Sequence, residues 1–275
     1  MTGFGPAIDT RPLYPRERGL LLDLLSALPS ADWDCPTVCP GWTVHDIVGH
    51  VLNDYLRRLS GSRDGHRGAV FADDETLPAY LARTNEEFVR AARQCSPAVM
   101  TGLLAHLGPQ LDELWAARDL DAPADLDVSW AADDRPSPAW LDIARDYTEF
   151  WVHQQQIRDA VERPGAEDPE LMAPVIDTFM RALPHSLRDQ DRPIGTAVGF
   201  TVTGPSGGDW LAVSTPSGWR LGSGADLAAR VTMDQDAFWR LATRGIPVEA
   251  ARERSSAEGD RELVAAATSL LAIVR

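Results

Sequence analysis

The sequence predicts a helical bundle followed by a small α+β domain. Three observations carry this. Apolar residues recur at helical spacing through the first 165 residues, and from residue 195 the period drops to two. Clusters of proline and glycine fall between the periodic stretches. Third, 275 residues with 44% hydrophobic content are enough to bury two cores. The break is expected at the proline-rich stretch after the last bundle helix, giving domains 1–165 and 166–275.

The elements follow in order. Leu20, Leu21, Leu24, Leu25 and Leu28 form one stripe, predicting a helix over Tyr14–Leu28. PSADWDCPTVCPGW is a turn-rich connector, since Pro36, Pro40 and Gly41 stop a helix. Thr43 opens the next helix, and T-V-H-D resembles a capping box with Asp in place of Glu. That helix turns Val44, Ile47, Val48, Val51, Leu52, Tyr55 and Leu59 inward. After the polar GSRDGHRG come helices over Pro78–Arg93 and Ala98–Arg118, then an acidic, proline-rich loop. A long helix starts at Ser137 or Pro138 and reaches Glu162. The first part thus reads as all-helical and suits an antiparallel bundle.

A further helix, Glu170–Leu187, precedes the change of texture. GTAVGFTVTG alternates as a strand with Val198, Phe200 and Val202 on one face. DWLAVSTPSGWRLGSG gives two short strands around a turn at Pro216–Gly218, and LAARVTMD another strand. DQDAFWRLATRG is a short amphipathic helix, and Asp260–Ile273 closes the chain as a last one.

Composition excludes several classes. Net charge is -15 with a pI near 4.7, so no basic stripe meets nucleic-acid phosphates. All 26 basic residues are arginine, which removes lysine Schiff-base chemistry and the P-loop lysine. No run of 18 apolar residues suggests a membrane span. The three cysteines and the absence of an apolar leader lead us to expect a cytoplasmic protein. Cys35 and Cys39 are spaced C-x-x-x-C with no partner pair, so Cys39 reads as a structural thiol rather than a zinc ligand. GSGADLA lacks the dinucleotide-loop pattern, and no G-x-S-x-G supports serine-hydrolase chemistry. His106, on a helix with Leu103, Leu104 and Leu107, reads mostly as a core histidine, with lining of the metal cleft as the lesser alternative.

The chemistry concentrates in DYTEFWVHQQQIR, residues 146–158. Glu149 and His153 lie four apart, on one helix face. Alone, that pair is a common surface feature. A bundle that binds metal does so with inward side chains from facing helices, so a third ligand belongs on another long helix. His50, three residues after Ile47 on an apolar face, meets that description, whereas His45 points elsewhere. A histidine on such a face also serves as a hydrogen-bonded core residue. Together the three match a two-histidine, one-carboxylate site with open positions.

CPGWTVHDIVGHV followed by DYTEFWVHQQQIRDAVERPG resembles the N-terminal domain of the mycothiol-dependent maleylpyruvate isomerase family, a branch of the DinB-like four-helix metalloproteins. VTMDQDAFWRLATRG resembles that family's C-terminal domain, which is similar to sterol carrier protein 2. The resemblance implies that His50, Glu149 and His153 hold a divalent metal, zinc first and nickel or iron as alternatives. It further implies a thiol cofactor, mycothiol or a similar small thiol, whose thiolate the metal stabilises. That thiolate adds to an electron-poor double bond. Rotation and elimination then give an isomerase; retention of the adduct gives an S-transferase. The expected substrate is an anionic electrophile, with Arg244 matching an arginine that faces the family's metal cleft and Arg240 one turn before it. Both also read as solvated charges at a helix C-terminus. Trp42 and Trp151 flank the ligand segments and are expected to exclude water. The competing function is a non-catalytic carrier of small apolar ligands with a structural or vestigial metal site. No nucleic acid or membrane partner is expected, and either a monomer or a homodimer fits.

Overall fold

The computed structural model describes residues 4–66, 68–126, 130–131, 136–223 and 226–273. Arg67 of GSRDGHRG, residues 127–129 and 132–135 of the acidic loop, and Gly224–Ala225 of GSGADLA lie outside them. The chain divides into two compact units, neither of them one continuous segment. Described residues within Thr10–Asp119 and Asp146–Ala166 form a helical unit, and those within Met1–Asp9, Leu120–Arg145 and Glu167–Val274 form a sheet unit. The sheet unit therefore draws residues from the segment 1–165 as well as from beyond it. Among the described residues no helix is long and apolar enough to cross a membrane.

The helical unit is built on α1 (Tyr14–Ser26), α2 (Val44–Arg58), α3 (Leu77–Ala92), α4 (Pro97–Ala116) and α5 (Ala139–Ala160), the last from Asp146 onward. Helix α1 buries Leu21, Leu24 and Leu25. It stops two residues short of the predicted end because Pro29 disfavours helical backbone at Leu28. Helix α2 starts where the sequence placed it. Thr43 Oγ1 accepts the Asp46 amide at 3.4 Å, and the Asp46 carboxylate accepts the Thr43 amide at 3.1 Å. Asp46 works here as a capping-box acid because its short side chain still reaches back. The helix buries Val44, Ile47, Val48, Val51, Leu52 and Tyr55, as expected, and runs into a π-helical turn at Leu59–Arg63. Helices α3 and α4 open on Thr76 and Ser96, each accepting from the amide three residues on, with Pro78 and Pro97 in the first turn.

Aromatic rings lock α5 into this unit. Tyr14 lies 5.6 Å from Tyr147 and 5.9 Å from Phe150, while Tyr55 lies 4.9 Å from Phe150. Each such ring pair adds about 0.5–1.5 kcal/mol beyond area burial. Arg58 bonds Asp146 at 2.5 Å and lies over Trp115 at 5.3 Å. At the α1–α4 crossing, Arg18 pairs with Asp112, and a Cβ at position 108 would stand 2.3 Å from the Arg18 side chain. Gly108 is what lets that ion pair form. The core stripe of α4 is Met100, Leu104, Leu111 and Trp115, which leaves His106 exposed on the opposite face. The reading of His106 as a core histidine is thus corrected: Leu103, its misleading neighbour, is itself 38% exposed.

The sheet unit holds β1 (Thr196–Thr203), β2 (Gly208–Thr215), β3 (Gly218–Leu221), β4 (Asp226–Asp234) and β5 (Ser255–Gly259), in the order β3-β2-β1-β4-β5. Strands β1 and β4 pair in parallel and all other neighbours pair antiparallel. Val198, Phe200 and Val202 are buried, as the alternation predicted. Its helices are α6 (Pro169–Met180), α7 (Leu183–Ser186), α8 (Gln235–Ala242), α9 (Val248–Glu253) and α10 (Arg261–Ala267). The single helix expected over 170–187 is interrupted after Met180, because Pro184 offers no amide hydrogen and its ring crowds the carbonyl one turn back. Among the described residues before 166 the only β pairings are two isolated bridges, Pro36 to Thr43 in the helical unit and Pro123 to Pro138 in the sheet unit.

Candidate metal centre

Two helices of one unit bring the three predicted ligands together. His50 projects from the middle of α2, Glu149 and His153 from α5, and one ligand atom of each lies within 4.8 Å of the others. Glu149 Oε1 stands 3.1 Å from His50 Nε2 and 3.0 Å from His153 Nε2. The two rings meet edge to face, centroids 4.7 Å apart. Both histidines are buried, at 5% and 8% exposure, while 40% of the Glu149 side chain remains open to solvent.

The arrangement fits a divalent cation. Ligand atoms about 2.0–2.2 Å from a tetrahedral centre stand roughly 3.3–3.5 Å apart; the two spacings to Glu149, 3.1 and 3.0 Å, are close to this, and all three atoms lie within 4.8 Å of one another. His153 Nδ1 sits 2.7 Å from the Gln156 side-chain oxygen, so that ring has an acceptor against each nitrogen. A neutral imidazole has one proton and can satisfy only one of them. A cation between Nε2 and Glu149 resolves the mismatch, and so does a second ring proton. The donor set, two imidazoles and a carboxylate, suits zinc, nickel or iron.

Charge is tuned accordingly. Burial works against ionisation of Glu149, but His153 and His50 overcome it and hold the carboxyl well below the usual carboxylate range. Burial likewise opposes protonation of His50, yet Asp54 and Glu149 raise its pKa on balance. Asp54 Oδ2 is 3.5 Å from His50 Nε2, and the other Asp54 oxygen is 3.8 Å from Arg57 Nη1. Sequence reasoning missed Asp54 and Arg57. They follow His50 by four and seven residues, so the spacing rule that found Glu149 and His153 would have placed all three on one face.

The flanking residues are also explained. Trp42 lies 5.2 Å from the His50 ring and donates to Glu86 at 3.4 Å. Trp151 is fully buried and donates to the Ala166 carbonyl at 2.8 Å. His45 points away, its Nε2 3.0 Å from the Cys95 carbonyl. Cys39 donates its thiol to Gln156 Oε1 at 3.3 Å; burial and then the Glu149 charge push it up to about 11, so it stays a thiol. All three cysteines are free.

Arg240 and Arg244 belong to the sheet unit. Arg240 bonds Asp236 at 2.7 Å and lies 4.3 Å over the Trp239 ring. Arg244 takes a left-handed backbone, φ 57°, just past α8. Its guanidinium donates to the carbonyls of Leu241, Leu270 and Ser269.

Among curated proteins no sequence matches this chain. Two solved structures are similar in fold. One is a crystal structure of the mycothiol-dependent maleylpyruvate isomerase with a histidine replaced by alanine: TM-score 0.55, 14% identity, covering 94% of this chain and 97% of that one. The other is a crystal structure of the mycothiol-dependent maleylpyruvate isomerase, with TM-score 0.53 and 15% identity over 88% and 91%. The family model described as the mycothiol maleylpyruvate isomerase N-terminal domain matches residues 14–158, a span that contains His50, Glu149, His153 and their neighbours. That span exceeds half of the 275 residues, and on it the chain belongs to the mycothiol maleylpyruvate isomerase N-terminal domain family.

Proposed function

We propose that this protein is a metal- and thiol-dependent enzyme acting on a small electrophile, as a cis–trans isomerase of the maleylpyruvate type or as a thiol S-transferase. The observation that carries this reading is the convergence of His50 Nε2, Glu149 Oε1 and His153 Nε2 on one point of a family-typical bundle. A divalent ion bound there, zinc first among the choices, supplies Lewis acidity and keeps a mycothiol-type thiol deprotonated at neutral pH.

The chain's own residues define the rest. Glu149 is ionised and contributes the one formal negative charge of the donor set. Trp42 covers one side of the His50 ring and limits water there. Cys39 gives its thiol hydrogen to Gln156 Oε1 and so serves the site as a hydrogen-bond donor. An anionic substrate needs a cation. Arg57 is the one we assign within the helical unit, because its loose 3.8 Å pairing with Asp54 leaves most of its donors available. Arg244 and Arg240 are proposed to serve from the sheet unit, which we take to be of the sterol-carrier type. Arg244 would do so while still bound to main-chain carbonyls.

The test is metal analysis of the purified protein followed by incubation with mycothiol and either maleylpyruvate or monochlorobimane, read by mass spectrometry. Isomerised product or thiol conjugate is the expected result. Stoichiometric metal with no turnover of either compound, and apolar ligands carried through purification, would replace the enzyme with a carrier.

A further inference from the structure

The three glutamines after His153 have three different partners. Gln154 donates to the main-chain and side-chain oxygens of Glu17, at 2.9 and 2.7 Å. Gln155 donates to the Gly165 carbonyl at 3.1 Å. Gln156 alone turns its oxygen towards the metal centre. It is 6% exposed, and that oxygen lies 2.7 Å from His153 Nδ1 and 3.3 Å from the Cys39 thiol.

We infer that Gln156, backed by Cys39, is the positioning residue that makes His153 a ligand: it holds the proton on Nδ1 and leaves the Nε2 lone pair facing Glu149 and His50. An oxygen acceptor at Nδ1 selects the Nδ1–H form of the ring, the form able to ligate through Nε2. Turned over, the amide would present NH₂ to Nδ1 and drive the proton to Nε2, where it blocks coordination. The Cys39 thiol opposes that turn, because as a donor it too prefers the amide oxygen. The geometry is rigid, since Gln156 and His153 are three residues apart on the same helix. His50 has no counterpart of this device; its Nδ1 is buried without a hydrogen-bond partner among the described residues. The two histidines are therefore held differently, His50 against the Trp42 ring and His153 by an oriented amide.

This inference rests on the metal-binding part of the proposed function, and the experiment separates the two. Zinc affinity of the full chain is measured by competition with a chromophoric chelator for wild type, Gln156→Ala, Gln156→Glu and Cys39→Ser. Gln156→Ala is expected to bind zinc about 10–100-fold more weakly. Gln156→Glu keeps an acceptor and should recover the loss, and Cys39→Ser keeps a donor and should stay near wild type. In zinc-loaded wild type labelled with ¹⁵N-histidine, His153 should show a slowly exchanging Nδ1–H and a metal-shifted Nε2. Wild type that fails to bind zinc stoichiometrically overturns the metal reading itself. Wild type that binds zinc while Gln156→Ala binds it equally well overturns the role of Gln156. So does coordination through His153 Nδ1 in wild type, a result that needs no variant to fold.

Discussion

Two glutamates of the same helical unit have their pKa values moved in opposite directions. Glu17, on α1, is 1% exposed, and its carboxylate accepts a hydrogen bond from the neutral amide of Gln154. Burial dominates, and despite Gln154, Arg18 and Arg158 its pKa is pushed up to about 7. Glu149, on α5, faces two imidazoles and keeps an exposed edge, and its carboxyl is held well below the usual range. Direct contact decides between them: two imidazoles bond Glu149 and keep it ionised, whereas at Glu17 the bonded partner is an amide, and Arg18 and Arg158 act without a direct bond and do not outweigh desolvation. His153 and Gln154 are consecutive on α5, so one helix step separates a charged centre from a near-neutral one.

The sharpest test of that contrast is exchange of each carboxylate for its amide. Glu149→Gln should abolish stoichiometric metal binding, and so should His50→Ala, with helicity by circular dichroism largely intact because the bundle keeps its own core. Retained stoichiometric metal in either variant would break the assignment of the centre.

Glu17→Gln should do the reverse and help the protein. Between pH 4.5 and 7 the folded state holds a proton on Glu17 that the unfolded state has released, so this group's contribution to stability falls as pH rises through the window. The full swing is on the order of 3 kcal/mol. Urea unfolding at pH 5 and pH 8 should show the decline in wild type and a flatter profile in the variant. A decline that persists in Glu17→Gln would assign it to another group.

Smaller effects separate the proposed cations. Arg57→Ala should raise KM for an anionic electrophile about tenfold, roughly 1.4 kcal/mol, and leave a neutral one such as monochlorobimane unchanged at normal metal content. Equal losses for both compounds would mean damage to the site rather than loss of a charge partner. Arg244→Ala should leave metal content unchanged and lower the melting temperature modestly, since hydrogen bonds to three carbonyls disappear, at about 1 kcal/mol each or less. Turnover of the anionic substrate that stays at wild-type level would remove Arg244 from the proposed function.

Much of this was legible in the sequence. The clustering of His50, Glu149 and His153 was readable because helical spacing fixes direction, and because an ionisable residue on an apolar face stands out against its neighbours. The hairpin β2–β3 was readable from its turn chemistry at Pro216–Gly218. Strand β5 was not: SSAEG has no alternation, lies on the sheet edge and is mostly exposed. What holds it is a main-chain ladder to β4 and Gly259, whose φ of 92° and close approach to the Ala228 carbonyl exclude a side chain. The parallel pairing of β1 with β4 joins segments about thirty residues apart, a distance over which local pattern carries no register. Gln156 stayed hidden because an amide's role depends on which end faces its neighbour, and sequence does not say.

One feature of the centre bears on the order of events. The histidines are shut away and the carboxylate is the member in contact with water. A carbodiimide should therefore label Glu149 quickly, while reagents that acylate imidazole react slowly at His50 and His153. A visitor from solvent meets an anion before it meets either ring. A hydrated cation is drawn in by that encounter and a carboxylate-bearing molecule is repelled by it. On the proposed function, a divalent ion held by these three residues would offset that negative charge, and a negatively charged small molecule would enter after the ion rather than before it.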